Sequence, residues 1–99
     1  MGEAASAAKQ AVDADANSAA AHIALAEVYF RQGNIIDAEH EFLPLAQDNS
    51  KEVRAHFGLA QIYMASAFYF HAKIQMVIAH QLDPDDADVT HLHKRLLSF

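Results

Sequence analysis

Apolar residues recur along this chain of 99 residues at the three- and four-residue intervals typical of helices, and residues that cap or break helices divide them into segments. Few positions offer the Gly- or Pro-based turns that β-hairpins need, so we predict an all-α fold. The predicted helices, with their caps, cover residues 3–16, 17–32, 34–47, 49–65, 68–81 and 83–97.

Polar capping residues mark the starts of the second and third predicted helices. Asn17 and Ser18 precede the second helix, because short polar side chains accept hydrogen bonds from the free backbone N–H groups of a first turn. Gly33 suits the end of that helix, since glycine adopts the left-handed backbone of a helix stop. Asn34, with Asp37 three residues later, predicts a capped start for the third helix.

The later helices have start signals of different strength. Asn49 with Glu52 predicts the start of the fourth helix. Asp83 as the cap and Pro84 in the first turn give the strongest start signal, that of the sixth helix. Pro44 instead falls within the third predicted helix, where proline removes a backbone hydrogen bond and clashes with the preceding turn. We expect a kink there, or an early end of the helix.

The chain matches itself at an offset of 34 residues, and the matches fall at helical spacings. Small alanines at these positions let two helices approach closely, while Leu and Tyr fill the space beside them. The pattern therefore predicts a repeated pair of packed helices rather than a chemical motif. The matching pairs are Ala21 with Ala55, His22 with His56, Leu25 with Leu59, Ala26 with Ala60, Tyr29 with Tyr63, Ala38 with Ala72 and Gln47 with Gln81.

This period and these residues resemble the tetratricopeptide repeat, a helix-turn-helix unit with a W-x2-L-G-x2-Y, A-x3-F and P signature. The first unit matches through His22, Leu25, Ala26, Tyr29, Gly33, Ala38 and Phe42. The second unit matches through His56, Leu59, Ala60, Tyr63, Ala72, Met76, Ala79 and Pro84. The departures are His22 and His56 in place of Trp, Ala16 and Ser50 in place of Pro, and Ala67 where the first unit has Gly33.

The resemblance implies antiparallel helix pairs stacked as a short right-handed superhelix, an α-solenoid. Residues 1–99 would form a single domain. Its parts would be a half-repeat helix at 3–16, one repeat at 19–52, a second repeat at 53–86 and a C-terminal capping helix at 87–99. The last helix fits either a cap or the first helix of another repeat, and its apolar stripe consists of Val89, Leu92, His93 and Leu96.

In this family the first helix of each pair lines a concave groove that receives a segment of another protein. By resemblance, the groove residues of this chain are Ile23, Glu27, Phe30, Arg31, Arg54, Phe57, Gln61 and Met64. The set mixes apolar anchors with two cations and one carboxylate, as a peptide-binding surface does. The alternative is that its apolar members pack against neighbouring helices.

One subgroup of the family clamps the C-terminal carboxylate of chaperone peptides with Lys and Asn side chains. The corresponding places of this chain hold Ile23, Glu27, Phe57 and Gln61. The resemblance therefore disfavours a role as a chaperone-tail adaptor.

A run of three aromatic residues gives a second candidate contact, because three successive side chains at a helix start cannot all point inward. We expect Tyr69 to pack between helices, and Phe68 or Phe70 to be exposed to a partner or to a second copy. The alternative is a recurring contact between repeats, since Ile35 and Ile36 occupy the equivalent place one period earlier.

Seven His residues raise the question of a metal site, which on helices usually uses His pairs four residues apart. No His pair has that spacing, and His91 and His93 are two residues apart. His22 and His56 recur at the aromatic packing position, where ring stacking between helices is the simpler interpretation. We predict no metal and no cofactor. The chain has no cysteine, Gly-rich phosphate loop or nucleophile motif, so we also predict no enzymatic activity.

The charge balance limits the partners. Thirteen acidic residues against seven basic ones give a formal net charge of −6, which disfavours nucleic acid. No stretch resembles a signal peptide or approaches the ~18–20 apolar residues of a membrane span, so the default location is cytoplasmic. We predict a protein–protein interaction module or scaffold. The alternative is a structural segment that forms homo-oligomers through the exposed ends of the array.

Overall fold

The computed structural model describes residues 2–15, 18–48 and 52–97, and these residues form helices and turns but no strand. The all-α prediction is confirmed, and each predicted helix has a counterpart. The helices are α1 (Gly2–Ala14), α2 (Ala19–Arg31), α3 (Ile35–Asp48), α4 (Val53–Ala65), α5 (Tyr69–Leu82) and α6 (Ala87–Leu96).

Of the two residues predicted to cap the second helix, only Ser18 lies within the described residues. Ser18 is the N-cap of α2, and its hydroxyl accepts a hydrogen bond from the backbone N–H of Ala21 at 3.2 Å, as predicted. Asn17 and Asn49 lie outside the described residues. Glu52 occupies the N-cap position of α4 without a side-chain hydrogen bond to the helix.

The same turn follows α2 and α4, although the sequence differs at its central position. Gly33 has a φ of +84°, and Ala67, one period later, has a φ of +64°. In each turn the backbone N–H of this residue donates to the carbonyl three residues earlier, at 3.1 Å. The predicted helix stop at Gly33 is confirmed. Ala67 adopts the same left-handed backbone at a cost in strain, because its Cβ crowds the chain there.

Helix α3 continues through Pro44 to Asp48, so the predicted early end is wrong. The proline removes the N–H that would bond the carbonyl of His40. Both residues are exposed, so water can hydrogen-bond that carbonyl. On the opposite side of α3, Ala38 and Phe42 are buried in the core and hold the helix in place.

The start of α6 lies three residues later than predicted. Asp86, not Asp83, is the N-cap, and its Oδ1 accepts from the backbone N–H of Val89 at 3.0 Å. Pro84 lies in the turn before the helix, where its carbonyl accepts a hydrogen bond from the hydroxyl of Thr90 at 3.2 Å. The cap is therefore Asp86, which lies three residues after the Asp that precedes Pro84.

Consecutive helices pack in chain order, α1 on α2 through α5 on α6, and α2 also contacts α4. The result is an elongated body of 39 × 25 × 21 Å. Two of the three alanine pairs that repeat at the offset of 34 are fully buried where the helices cross, as the packing prediction requires, whereas Ala21 of the third pair is half-buried. The two buried pairs are Ala26 with Ala60 and Ala38 with Ala72. The boundaries assigned to each repeat remain predictions.

The repeated histidines form matching hydrogen bonds between the two helices of a pair. His22 Nδ1 lies 3.2 Å from Glu41 Oε1, and His56 Nδ1 lies 2.7 Å from Gln75 Oε1. Glu41 and Gln75 are themselves one period apart. His22 and His56 therefore contact the second helix of each pair through a hydrogen bond, whereas the sequence predicted only ring stacking.

Phe42 packs directly on Gly58, where α3 meets α4. A Cβ atom at Gly58 would overlap the Phe42 ring, with ring carbons at 2.5 and 2.6 Å from it. One period later the same pair of positions holds Met76 and Leu92, which share one core cluster. Because Gly58 has no side chain, the Phe42 ring fits at a position where the next repeat has Met76.

Candidate binding face

A cavity of about 290 Å³ opens between α2, α4 and α6. Helix α2 contributes Glu27 and Arg31, and α4 contributes Arg54 and Gln61, whose side chains surround the opening. Asp88 of α6 completes the polar rim, while the floor is apolar. The residues that line this cavity are Glu27, Arg31, Phe42, Arg54, Phe57, Gly58, Gln61 and Asp88.

A second cavity of about 350 Å³ lies beside the first, and Gln61 lines both. Its walls are more apolar, with Arg95 as the charged residue. The residues that line it are Phe30, Gln61, Met64, Ala65, Leu92 and Arg95. We call the combined surface the α2–α4–α6 face. It consists of Glu27, Phe30, Arg31, Arg54, Gln61, Met64, Asp88, Leu92 and Arg95.

Arg54 is fixed by three neighbours. Its Nη1 lies 3.7 Å from Oδ2 of both Asp86 and Asp88, and its Cζ lies 4.9 Å from the centroid of the Phe57 ring. Such partly exposed ion pairs contribute little to stability, but together with the cation–π contact they hold the guanidinium in one position. The side chains of Arg31 and Arg95, by contrast, are exposed.

The structure places seven of the eight predicted groove residues on the walls of these two cavities. Ile23 is the exception, because it packs against the core around Phe42. Phe57 lines the first cavity but is only 8 % exposed and belongs to the core cluster of α4, α5 and α6. Most of the Phe57 side chain therefore packs against neighbouring helices, which was the alternative given for the apolar residues of the predicted groove.

Sequence reasoning missed the contribution of α6 to this face. Asp88 lies one period after Arg54, and Arg95 lies one period after Gln61. Continuing the 34-residue offset past the second repeat would have found both residues. Leu92 was predicted only as part of the packed stripe of its helix, and it is indeed buried.

The aromatic run at the start of α5 is exposed at all three positions. Phe68 and Phe70 project into solvent, as expected for at least one of them. Tyr69, in the first turn of α5, is 37 % exposed, so it is not packed wholly between helices as predicted. The ring of His71 lies within 6.2 Å of both Phe rings, measured between centroids.

Among the described residues, no group of three or more His, Cys, Asp or Glu side chains is placed to hold a metal ion. His80 and His93 come together as stacked rings, with centroids 4.7 Å apart and an interplanar angle of 11°. Their nitrogen lone pairs lie in two parallel planes, an arrangement that does not converge on one ion. Within the same described part of the chain, no helix is long and apolar enough to cross a membrane.

Comparison with known sequences agrees with this architecture. No curated protein sequence matches the chain. The sequence pattern of the tetratricopeptide repeat matches residues 1–55, which is more than half of the chain. The chain belongs to the tetratricopeptide repeat family.

Solved tetratricopeptide repeat domains superimpose on nearly all of this one. The Arabidopsis OM64 domain has a TM-score of 0.88 and 18% identity, with 98% of this chain and 80% of that chain covered. The first domain of human RPAP3 has a TM-score of 0.86 and 20% identity, with 97% and 76% covered. The first domain of Spaghetti (RPAP3), bound to the HSP90 peptide SRMEEVD, has a TM-score of 0.83 and 18% identity, with 95% and 75% covered. At these identities the likeness establishes the superhelical fold alone.

Proposed function

We propose that this tetratricopeptide repeat chain is a protein-interaction module that binds a segment of another protein along the α2–α4–α6 face. The observation that carries the proposal is the pair of cavities that share Gln61 as a common wall. The two cavities are adjacent on a surface made by three helices, and ligand sites are typically concave with a few polar groups placed around apolar walls.

The two halves of this face suggest what the bound segment offers. Phe30, Met64 and Leu92 form an apolar recess that suits one aliphatic or aromatic anchor. Arg95 lines this recess and Arg31 lines the neighbouring cavity, and both side chains are exposed, so a carboxylate next to the anchor is favoured. We expect a short segment that combines one apolar anchor with at least one acidic side chain.

The likeness to the first domain of Spaghetti (RPAP3) supports a peptide ligand in general, since that domain was solved with the HSP90 peptide SRMEEVD. It does not extend to the chaperone tail itself. The clamp of Lys and Asn side chains is replaced by Ile23, Glu27, Phe57 and Gln61, two of which are apolar and one acidic. We therefore propose an internal segment of a partner rather than a chaperone C-terminus.

Selection from a random peptide library followed by titration tests this proposal. The affinity of a selected peptide, read by fluorescence anisotropy, should fall at least about tenfold in the double variant Arg31→Glu, Arg95→Glu. The matched control is Lys9→Glu, Lys94→Glu, which changes the net charge equally at two exposed positions that line neither cavity. If both double variants lost the same affinity for the peptide, net charge alone would explain the effect and the proposed face would not be the binding site. Failure to select any peptide would also contradict the proposal.

Phe57→Asp is unsuitable for this test, because a carboxylate at a buried core position would destabilise the whole domain. The same holds for Ala8→Asp as a test of self-association, since Ala8 is buried with Leu25 and Val28 in the contact of α1 with α2. Ala11 is exposed on α1. Ala11→Asp with sedimentation equilibrium is therefore the test of the predicted homo-oligomer.

A further inference from the structure

Helix α5 has apolar side chains on two opposite faces. Its inward face packs into the core and consists of the fully buried Ala72, Met76 and Ala79. Phe70 is 73 % exposed, and Ile74 and Val77 are 44 % exposed each. At 3.6 residues per turn these three lie about 180° from the buried face. A surface helix normally has a polar face opposite its buried one, so the apolar outward face makes α5 unusual.

An additional tetratricopeptide repeat would leave most of this outward face uncovered. The positions one period earlier, on α3, are Ile36, His40 and Leu43, of which only Leu43 is half-buried against the core. Ile36 remains 71 % exposed and His40 is exposed, although a complete helix pair follows them. Because successive repeats stack in equivalent ways, a helix pair after α5 would leave Phe70 and Ile74 equally accessible.

The spacing of the outward residues fits a second helix lying alongside α5. Phe70, Ile74, Val77 and the exposed Gln81 follow one another at intervals of four, three and four residues. This alternation is that of a coiled-coil seam, in which side chains of one helix fit between those of a helix crossing at about 20°.

The charges on α5 indicate whether the second helix is another copy of α5 or a helix of a different protein. Helix α5 contains no acidic residue, and the positions that flank its seam include His71, Lys73 and His80. In a parallel pair of α5 helices Lys73 would face Ile78, and in an antiparallel pair it would face His80. Neither arrangement gives Lys73 an acidic neighbour across the seam, so a second copy of α5 does not complement the charge of this face.

We propose that the outward face of α5 binds an amphipathic helix of another protein whose apolar stripe is flanked by Glu or Asp. The partner's stripe packs on Phe70, Ile74 and Val77, and its carboxylates lie next to Lys73 and the two histidines. This site is separate from the α2–α4–α6 face, so a bound partner leaves that face accessible.

Two synthetic helical peptides of about three heptads test the proposal. Both have Leu at the seam positions, and they differ only in having Glu or Lys at the flanking positions. Fluorescence anisotropy should show that the wild-type chain binds the Glu peptide at least about tenfold more tightly than the Lys peptide. Ile74→Gln with Val77→Gln should weaken the Glu peptide by at least about tenfold.

Two control variants locate the binding. Ile36→Gln removes an apolar side chain of α3 that is more exposed than Ile74 or Val77, and Gln61→Ala alters the α2–α4–α6 face. Each should change the affinity by less than about twofold. No binding of the Glu peptide, equal affinity for both peptides, or an equal loss in Ile36→Gln would overturn the proposal. It would also be overturned if the α5 variant instead abolished a homodimer in sedimentation or binding to phosphatidylserine vesicles.

Discussion

Replacing Gly58 by alanine should destabilise this domain, although alanine is the better residue for a helix interior. Propensity alone would stabilise α4 by about 1 kcal/mol. Against this, the new methyl group would lie 2.6 Å or less from three carbons of the Phe42 ring. Carbon atoms pack at about 3.5–4.0 Å, so the ring would have to move by roughly 1 Å.

The buried environment decides which effect is larger. Phe42 is only 2 % exposed and packs with Leu59 and Ile62 of the facing helix, so it has little room to move. Overpacking of this kind costs about 1–3 kcal/mol, and the close approach of several atoms places Gly58→Ala near the upper end. We expect a net loss of about 1–2 kcal/mol, and a melting temperature lowered by about 4–8 °C for each kcal/mol.

Urea unfolding followed by circular dichroism measures this loss, and two further variants identify its cause. Ala24→Gly, at the exposed position one period earlier, should destabilise by about 1 kcal/mol from propensity alone. Combining Gly58→Ala with Phe42→Leu should be less destabilising than the sum of the single changes, by about 1 kcal/mol. If Gly58→Ala were as stable as the wild type, the close contact would not constrain the fold and the reasoning would be refuted.

Four further changes test other parts of the fold. Ala67→Gly should stabilise by about 1 kcal/mol in urea unfolding, because glycine enters the left-handed backbone without strain. Pro44→Ala should stabilise by about 2 kcal/mol in the same assay by restoring a helical hydrogen bond, and an unchanged midpoint would contradict this. Asp86→Ala should lower the melting temperature through a loss of about 1 kcal/mol, whereas Asp86→Asn should retain the cap. Burial, and then the carboxylate of Glu39 and a hydrogen bond to it, raise the pKa of Tyr63 above its ordinary value of 10.0. Stability from its neutral phenol is therefore fully present below pH 10 and lost as pH rises through the raised pKa. Glu39→Gln should lower this pKa in an NMR titration but leave it above 10.0, because burial is the larger cause.

The repeated part of the fold was readable from the sequence because each repeat packs on its neighbour in the same way. Ala26 and Ala60 can both be predicted as buried, since a small residue at one helix crossing implies the same at the next. The turn at Ala67 follows in the same way from the one at Gly33, even without a glycine.

Details that depend on how two helices meet could not be read in this way. Asp83 and Asp86 are both capping residues by type, and the adjacent Pro84 favoured Asp83, whereas the helix α6 is capped by Asp86. Phe57 occupies a position that could line a groove or fill a core. Its packing in the core cluster of α4, α5 and α6 buries most of the ring.

The most direct test of the proposed function is an NMR titration of the chain, labelled with ¹⁵N and ¹³C, with the tightest peptide from the library selection. The proposal predicts that chemical-shift changes concentrate on α2, α4 and α6, around Arg31, Gln61 and Arg95. It also predicts that the largest changes in side-chain methyl signals occur at Met64 and Leu92, beside the apolar anchor. Changes confined to α3 and α5, or spread over the exposed surface without a maximum, would contradict the assignment of the α2–α4–α6 face as the binding site.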